Sequence, residues 1–356
     1  MKRAAIDWPA VAAALVKRIP HGALHPGAML TALADHERER HRHPRRRPRW
    51  AVAFSGGADS LALLLIFWAE GPGRWGRQFT VLHFNHRLRG RAADADERFC
   101  ARVCAALGLR LVTGRWRAAH RGANEAEARA GRLGFFHREM RRRKLRLLWL
   151  GHQQDDIAES MLMRLARGSG AAGLAAPRPA QAMPGGRWHL RPLLTLKKAE
   201  IVAALRAAGA TWREDATNAR DDFFRNRIRR RVLPAWRRAA GRDALAGAAL
   251  ARELLEEDDT AVEAWLDELR PLRRDGSLDL ARLAGRPRAL VRRALRRWLA
   301  GHPEAGELSR QGFEDLLGAV TVGQPTRRSV GRHGFAVIRG GRLRFADASR
   351  RRVRAI

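Results

Sequence analysis

Two glycines stand between an apolar run and a helix-forming run near residue 55. The segment Ser55-Gly56-Gly57-Ala58-Asp59-Ser60 follows Trp50–Phe54 and precedes Leu61–Phe67. A strand, a glycine turn and a helix start in this order can cradle phosphate, because the backbone comes close and the helix presents unpaired N–H groups. The segment lacks the lysine of a Walker loop and the third glycine of a dinucleotide fingerprint. An ordinary strand-to-helix turn, with Asp59 or Ser60 as N-cap, is the alternative.

The elements that must position this turn alternate between short apolar runs and helical segments. Strands are predicted at Trp50–Phe54, Phe79–Phe84, Arg110–Thr113 and Leu145–Leu150, with helices at 59–69, 92–107 and 124–143. Such alternation predicts an α/β fold, a parallel sheet with crossover helices. The carboxyl ends of these strands, where such sheets bind ligands, carry Ser55, His83–His86 and Gly151–His152.

The rest of the chain divides by composition. Residues 1–49 are expected to form an N-terminal extension with a basic linker, 50–240 the α/β domain, 241–346 a linker helix and a small, mainly helical C-terminal domain, and 347–356 a basic tail. Gly168–Gly186 is predicted as a loop, and a long helix is predicted at Asp243–Leu269. Further helices are expected at 155–167, 197–208, 221–238, 288–299 and 311–320, and strands at 189–194, 335–338 and 343–345.

The charge of the chain indicates a polyanionic partner. Lys and Arg number 70 against 36 Asp and Glu, a formal net charge of +34, which favours nucleic acid. Inflation of arginine by a GC-rich genome is the alternative. The two cysteines, Cys100 and Cys104, have no metal-ligand partners at suitable spacing and are expected to be buried thiols. No membrane span or signal peptide is recognisable, so a cytoplasmic protein is predicted.

Several motifs together resemble one family. The turn Ser55–Ser60 resembles the PP-loop of the ATP pyrophosphatase superfamily. Within it, the tRNA(Ile)-lysidine synthases are similar over about residues 50–240, and more loosely over 245–346. The blocks that carry the resemblance are His83–Arg89 with Asp94–Glu97, Asn124–Arg129, Gly151–Glu159 with Arg164–Gly170, Arg191–Leu194, Glu214–Asn218 and Arg225–Arg229.

The resemblance implies a two-step ligation. ATP adenylates carbon-2 of the wobble cytidine of an isoleucine tRNA with a CAU anticodon, through the base oxygen, and releases pyrophosphate. The ε-amine of free L-lysine then displaces AMP and forms lysidine. The implied cofactors are ATP and Mg²⁺, and the implied partners are this tRNA and lysine. A homodimer is left open.

The resemblance also assigns residues to roles. Nucleotide binding falls to Ser55, Gly56, Gly57, Ala58, Asp59, Ser60, His83 and Asn85, and Mg²⁺ binding to Asp59 and Asp156. The catalytic candidates are Asp59, Arg129, His152 and Asp156. Lysine binding is expected at Asp155, Asp156 and Glu159, of which Asp155 and Glu159 share a helix face. The tRNA track is expected at Arg225, Arg227, Arg229 and Arg230.

Each assignment has a structural alternative. The acidic turn Asp155–Glu159 could merely cap its helix, Arg129 could be a surface residue, and His83 or His86 could be a satisfied edge histidine. Two other functions also stay open: a tRNA thiolation enzyme on the same scaffold, and a non-catalytic RNA-binding protein with a degenerate PP-loop. Thiolation enzymes depend on paired cysteines or a metal cluster, which Cys100 and Cys104 do not suit.

Overall fold

The computed structural model describes residues 6–42, 50–74, 79–116, 125–214, 223–302, 305, 308–331 and 334–347. Predictions for the basic linker at 43–49, for residues 215–218 and for the tail beyond residue 347 lie outside these ranges. The chain forms two compact units, Met1–Glu256 and Glu257–Ile356. The domain boundaries inferred from composition stay a prediction.

The first unit is built on a six-stranded sheet. Its strands are β1 (Trp50–Ala53), β2 (Thr80–Asn85), β3 (Arg110–Arg115), β4 (Leu147–Trp149), β5 (Ala180–Met183) and β6 (Arg187–Leu190). The order is β3-β2-β1-β4-β6-β5, and every neighbouring pair is parallel except the antiparallel β5–β6. The predicted parallel-sheet α/β fold is confirmed.

Helices follow the strands as expected for crossover connections. Those of the first unit are α1 (Trp8–Val16), α2 (Pro26–Arg42), α3 (Ala58–Arg74), α4 (Arg91–Ala106), α5 (Glu125–Arg142), α6 (Gln154–Leu165), α7 (Ala171–Leu174), α8 (Lys198–Ala207), α9 (Phe224–Arg227) and α10 (Leu233–Ala239). Ile228–Val232 forms a π-helical turn between α9 and α10. Helix α11 (Ala244–Leu269) begins in this unit.

An aromatic cluster fixes β1 against its neighbours behind the glycine turn. The rings of Trp50 and Phe79 stack with centroids 4.4 Å apart, and Phe67 of α3 lies 4.5 Å from Trp149 of β4. Residues Leu61–Phe67 are wholly buried, so the helix after the turn is apolar on every side. This packing sets the direction in which the first turn of α3 points.

The N-terminal helices contribute to the same core. Trp8, Val11 and Leu15 of α1 are buried, and Trp8 meets Phe99 of α4 edge-on with ring centroids 6.0 Å apart. Arg146, just before β4, binds the buried carboxylate of Asp35 of α2 at 2.6 Å. Both helices therefore brace the sheet that carries the site.

The predicted loop Gly168–Gly186 was wrong in part, since it contains α7 and β5. Strand β5 forms because its backbone pairs with β6, from Ala180↔Leu190 to Met183↔Arg187. A short, half-exposed strand of this kind has little apolar periodicity, so tertiary pairing and not local pattern determines it.

The second unit combines helices with a small antiparallel sheet. Helices α12 (Arg288–Ala300) and α13 (Arg310–Val322) pack with strands β7 (Leu278–Asp279), β8 (Thr326–Ser329), β9 (Gly334–Arg339) and β10 (Arg342–Asp347) in the order β7-β10-β9-β8. Trp298 is fully buried at its centre. Across all described residues, no helix is both long enough and apolar enough to cross a membrane.

Candidate active site

The glycine turn after β1 is held by its own serines. Ser60 Oγ donates to the Gly57 carbonyl at 3.0 Å, accepts from the Ser55 N–H at 3.1 Å and lies 3.0 Å from Ser55 Oγ. These bonds curl the backbone around the first turn of α3, whose N–H groups have no intrahelical partner. The start of α3 thus directs unpaired N–H groups out of the turn, and binding of a phosphate there stays a prediction.

Gly56 is required by both conformation and space. Its φ is +90°, and an added Cβ would lie 3.3 Å from the Sγ of Cys100 and 3.4 Å from Phe99. The carbonyl of Gly56 accepts from the N–H of Arg213 at 2.9 Å. The turn is therefore pressed between α4 and the segment after α8, with no room for a side chain.

Gly151, after β4, brings a second loop onto the same helix start. A Cβ at this position would lie 3.0 Å from the backbone carbon of Asp59 and 3.0 Å from the nitrogen of Ser60. Only glycine allows the two backbones to approach this closely. The loop that leads into α6 is thus fixed against the glycine turn.

Asp59 faces a lysine from α8. Both of its carboxylate oxygens accept from Lys198 Nζ, at 2.7 and 2.8 Å. Burial raises the pKa of Asp59 above its ordinary value, Lys198 opposes this only in part, and the negative charge of Asp156 adds to it. Lys198 lies 139 positions away in the sequence, so local spacing could not have revealed it.

Helix α6 begins with a capping box that includes Asp156. The side chain of Gln153 accepts from the N–H of Asp155 at 2.6 Å, and Asp156 Oδ2 accepts from the N–H of Gln153 at 3.0 Å. Asp155 accepts instead from the N–H of Lys198 at 2.9 Å and so caps α8. The predicted acidic turn is thus partly a capping device, and Asp155 points to a different neighbour from Asp156.

Asp156 and Glu159 form a buried acid pair, the name used below for these two residues. Glu159 accepts from Arg225 Nε at 2.7 Å and from Arg229 Nε at 2.5 Å, and Asp156 accepts from the other end of the Arg225 guanidinium. Arg225 lies in α9 and Arg229 in the π-helical turn that follows it. Burial alone would raise the pKa of Asp156, but Arg225, His152 and the Gln153 N–H hold it below its ordinary value.

The four predicted tRNA arginines divide into two pairs. Arg225 and Arg229 are partly buried on the acid pair, whereas Arg227 and Arg230 are exposed. The carboxylate partners of Arg225 and Arg229 lie on α6, 66 and 70 positions away in sequence. Proximity in sequence therefore does not reveal these ion pairs.

His152 and Arg129 line one cavity with Arg225. The Nδ1 of His152 is enclosed and has no hydrogen-bond partner among the described residues. Burial, followed by the charge of Arg191, lowers the pKa of His152 well below its ordinary value, although Asp156 opposes the shift. A neutral imidazole with an open nitrogen is able to accept a proton.

His83 and Asn85, at the end of β2, differ in what they leave open. His83 Nδ1 lies 2.8 Å from the Phe54 carbonyl, which fixes the protonated nitrogen and leaves the buried Nε2 as an acceptor without a described partner. Burial lowers the pKa of His83. Asn85 is fully engaged, since its amide donates to Asp94 and Glu97 and accepts from the Arg87 N–H. Asn85 therefore organises the loop before α4.

These residues fit a nucleotide and a cation that the nucleotide helps to bind. The glycine turn offers a donor cradle, and His83 Nε2 offers one buried acceptor beside it. No group of three or more His, Cys, Asp or Glu in the described ranges is close enough to hold a metal ion. Magnesium in phosphate sites commonly takes one or two carboxylates plus phosphate oxygens and water. The carboxylates of Asp59 and Asp156 are of this ligand type, and they are paired with Lys198 and Arg225 in this structure.

The chain matches the family model for the PP-loop domain (ATP_bind_3) over residues 31–236. It is 43% identical over 190 residues to a tRNA(Ile)-lysidine synthase of Solibacter usitatus, covering 52% of this chain and 40% of that protein. A tRNA(Ile)-lysidine synthase of Geobacter sulfurreducens is 36% identical over 286 residues, 75% of this chain and 58% of that protein. One from Azoarcus sp. is 45% identical, over 52% of this chain and 41% of that protein.

The chain spans about half the length of the curated relatives it matches. Among solved structures, a U34-tRNA thiolase from Methanococcus maripaludis superposes with a TM-score of 0.49 and 16% identity, covering 60% of this chain and 74% of that chain. The resemblance predicted from the motifs at Ser55–Ser60 and Gly151–Glu159 is confirmed by the family match. The family model covers more than half of the chain and indicates an ATP-binding domain, so the chain belongs to the PP-loop family.

Proposed function

We propose that this protein ligates free L-lysine to carbon-2 of the wobble cytidine of an isoleucine tRNA with a CAU anticodon. In the first step the base oxygen attacks the α-phosphorus of ATP and pyrophosphate leaves. In the second step the ε-amine bonds to carbon-2, AMP leaves, and the amine loses a proton. The similarity to tRNA(Ile)-lysidine synthases supports the proposal.

The observation that carries the proposal is the buried acid pair beside the phosphate turn. Asp156 and Asp59 are close enough for the charge of one to raise the pKa of the other. A carboxylate pair beside a phosphate cradle suits a nucleophile that arrives as an ammonium. A phosphate site that served ATP binding alone would not require it.

For the first step, the residues supply positioning and charge. Ser55, Gly57 and Ser60 hold the shape of the turn, and the N–H groups at the start of α3 are suited to the departing pyrophosphate, as in other backbone anion cradles. Magnesium, when bound by Asp59 with Asp156, would neutralise charge on that group. Arg129, which lines the cavity with His152, would stabilise negative charge on the adenylated base.

For the second step, we propose an exchange of partners at the acid pair. In the structure, Arg225 and Arg229 form ion pairs with Asp156 and Glu159. Phosphates of the bound tRNA would attract these guanidiniums, and the acid pair would then hold the lysine ammonium. The neutral His152 would accept the proton that the amine loses as the new bond forms.

The thiolation alternative is disfavoured by the cysteines. Cys100 and Cys104 are both buried and unpaired. Burial raises the pKa of Cys100 and raises that of Cys104 to about 12, so neither is a thiolate at neutral pH. The non-catalytic alternative is disfavoured because the intact turn, Asp59 and the acid pair occur together.

We further propose a cytoplasmic site of action. A mass measurement in solution tests whether the protein forms a dimer.

A labelled-substrate assay tests the proposal. Purified protein is mixed with ATP, Mg²⁺, radiolabelled lysine and transcripts of isoleucine tRNA bearing either CAU or a changed wobble base. We expect AMP and pyrophosphate release and lysine incorporation only with the CAU transcript. Turnover that requires sulfide, or tRNA binding without pyrophosphate release, would reject the lysidine reaction and favour one of the two alternatives.

A further inference from the structure

A cavity lies beside the acid pair and is distinct from the phosphate turn. Its volume is about 260 Å³, well above the roughly 30 Å³ that a water molecule occupies in the liquid. No residue of Ser55–Ser60 lines it, and no lining residue is acidic. Five of its lining residues are arginines: Arg129, Arg164, Arg178, Arg191 and Arg225.

Two of these arginines are bound only by neutral oxygens. Arg191 is 5% exposed and donates to the Arg178 carbonyl at 2.7 Å and to Gln181 Oε1 at 2.9 Å. Arg164 donates to the carbonyl of Gly173. In the part of the chain that the structure describes, neither guanidinium has a carboxylate within ion-pair distance. The buried Nε of Arg191 has no partner there at all.

Such an arrangement is costly unless an anion enters the cavity. A buried charge normally has an opposite charge or a full set of hydrogen bonds. Burial, together with the charges of Arg129 and Arg164, lowers the pKa of Arg191 to about 10, because the charge of Asp156 offsets these effects only in part. Burial and Arg129 also lower the pKa of Arg164. The free-energy cost of this buried charge falls if a ligand oxygen accepts from Arg164 and from the Nε of Arg191.

We infer that this cavity binds a backbone phosphate of the RNA substrate, adjacent to the nucleotide that is modified. The inference rests on the proposed function and goes beyond it by assigning a second phosphate site. His152 and Arg225 belong both to the cavity and to the surroundings of the acid pair. A phosphate held here would therefore place the neighbouring base at the acid pair, while the phosphate turn keeps its own anion.

The chemistry shared by the possible ligands is a tetrahedral phosphate oxyanion, whose source is RNA or ATP. A cycle that changes protein and RNA together distinguishes them. The RNA is an anticodon stem-loop of the CAU isoleucine tRNA, unmodified or with one uncharged methylphosphonate on either side of the target cytidine. The proteins are wild type, Arg164→Gln, Arg191→Lys and the control Arg102→Gln, which removes an equal charge at an exposed position of α4.

We expect Arg164→Gln and one of the two methylphosphonates each to weaken RNA binding about 10- to 100-fold. Combined, they should weaken binding no more than either does alone, because both remove the same contact. Arg102→Gln should combine with the methylphosphonate additively. Arg191→Lys, which keeps the charge in the cavity, should follow Arg164→Gln more weakly and guards against misfolding of one variant.

Additive effects of Arg164→Gln with both methylphosphonates would overturn the inference. So would a variant that raises the KM for ATP in pyrophosphate release while RNA binding is unchanged, since the anion would then come from ATP. Failure of the wild type to incorporate lysine, with non-additive RNA binding retained, would reject the proposed reaction but leave the phosphate site. The two failures are therefore distinguishable.

Discussion

The phosphate turn and the acid pair lie side by side but are built in different ways. The side-chain hydrogen bonds within the turn span at most five positions of sequence, from Ser55 to Ser60. Those that hold Asp156 and Glu159 span 66 to 70 positions, to Arg225 and Arg229. The turn depends on backbone conformation, and the acid pair depends on charge balance between distant elements. Damage to the two should accordingly have different signatures.

Asp156→Asn should have the largest effect on lysine transfer. The amide keeps the shape that caps α6 but removes the charge proposed to bind the ammonium. We expect lysine incorporation to fall by about 100- to 10,000-fold, measured by radiolabel, with a smaller loss in ATP-dependent pyrophosphate release. The control is Asp155→Asn, because Asp155 accepts from the Lys198 N–H and no arginine contact is recorded for it. Equal losses in both variants would contradict a special role for Asp156.

Gly56→Ala tests the backbone conformation of the glycine turn. A side chain there meets Cys100 and Phe99 and must adopt a φ of +90°. We expect a stability loss of about 1–3 kcal/mol and up to about a hundredfold lower kcat/KM for ATP, measured by chemical denaturation and pyrophosphate release. Gly108→Ala is the matched control, with φ +62° and nothing within 4 Å. The Gly108→Ala variant should be less stable than the wild type but keep the wild-type kcat/KM for ATP.

Arg229→Gln and Arg230→Gln compare an arginine that stabilises the free protein, besides its proposed contact with the bound tRNA, with an exposed arginine. Loss of Arg229 leaves the fully buried Glu159 with Arg225 as its recorded partner, so we expect about 1–3 kcal/mol less stability. Arg230 is exposed, and its loss should reduce the salt dependence of tRNA binding by about one phosphate contact. Denaturation and salt-titrated binding measure both quantities. The opposite assignment of effects would contradict the division.

His189→Gln gives the smallest effect and concerns a buried histidine of β6, two residues before Arg191 of the cavity. Burial, then the charge of Arg191, lowers the pKa of His189 to about 3 from 6.5. The unfolded chain therefore binds a proton more readily than the folded one, and stability falls as pH drops below 6.5. We expect the wild type to lose about 1 kcal/mol more than the variant between pH 7.5 and 5.5. An equal change in the free energy of unfolding of the two proteins between these pH values would contradict this.

Much of the first unit was predictable because its signals are local. The apolar runs at Trp50–Phe54 and Phe79–Phe84 mark strands that are buried on both faces, and the glycine turn between β1 and α3 occupies six consecutive residues. The resemblance assigned Asp156 and Glu159 to lysine binding and Arg225 to the tRNA, and the structure brings these three side chains into contact.

Residues whose partners are remote could not be predicted in the same way. In the sequence, Lys198 does not differ from other lysines at a helix start, and only the fold brings it to Asp59. Arg191 was noted in its motif, but its burial among arginines depends on α7 and β5, which have almost no sequence signal. A surplus of arginine in composition reveals neither which arginine is buried nor which has no carboxylate.

The close approach of Gly151 to Asp59 has a mechanical consequence. The loop before α6 packs so closely on the first turn of α3 that a Cβ added at Gly151 would lie 3.0 Å from backbone atoms of Asp59 and Ser60, so a displacement of one helix start is transmitted to the other. The two helix starts should accordingly open as one cooperative unit, with matching hydrogen-exchange rates at Ser60 and Ile157. A nucleotide that slows exchange in α3 should then slow it in α6, although the nucleotide never touches Ile157.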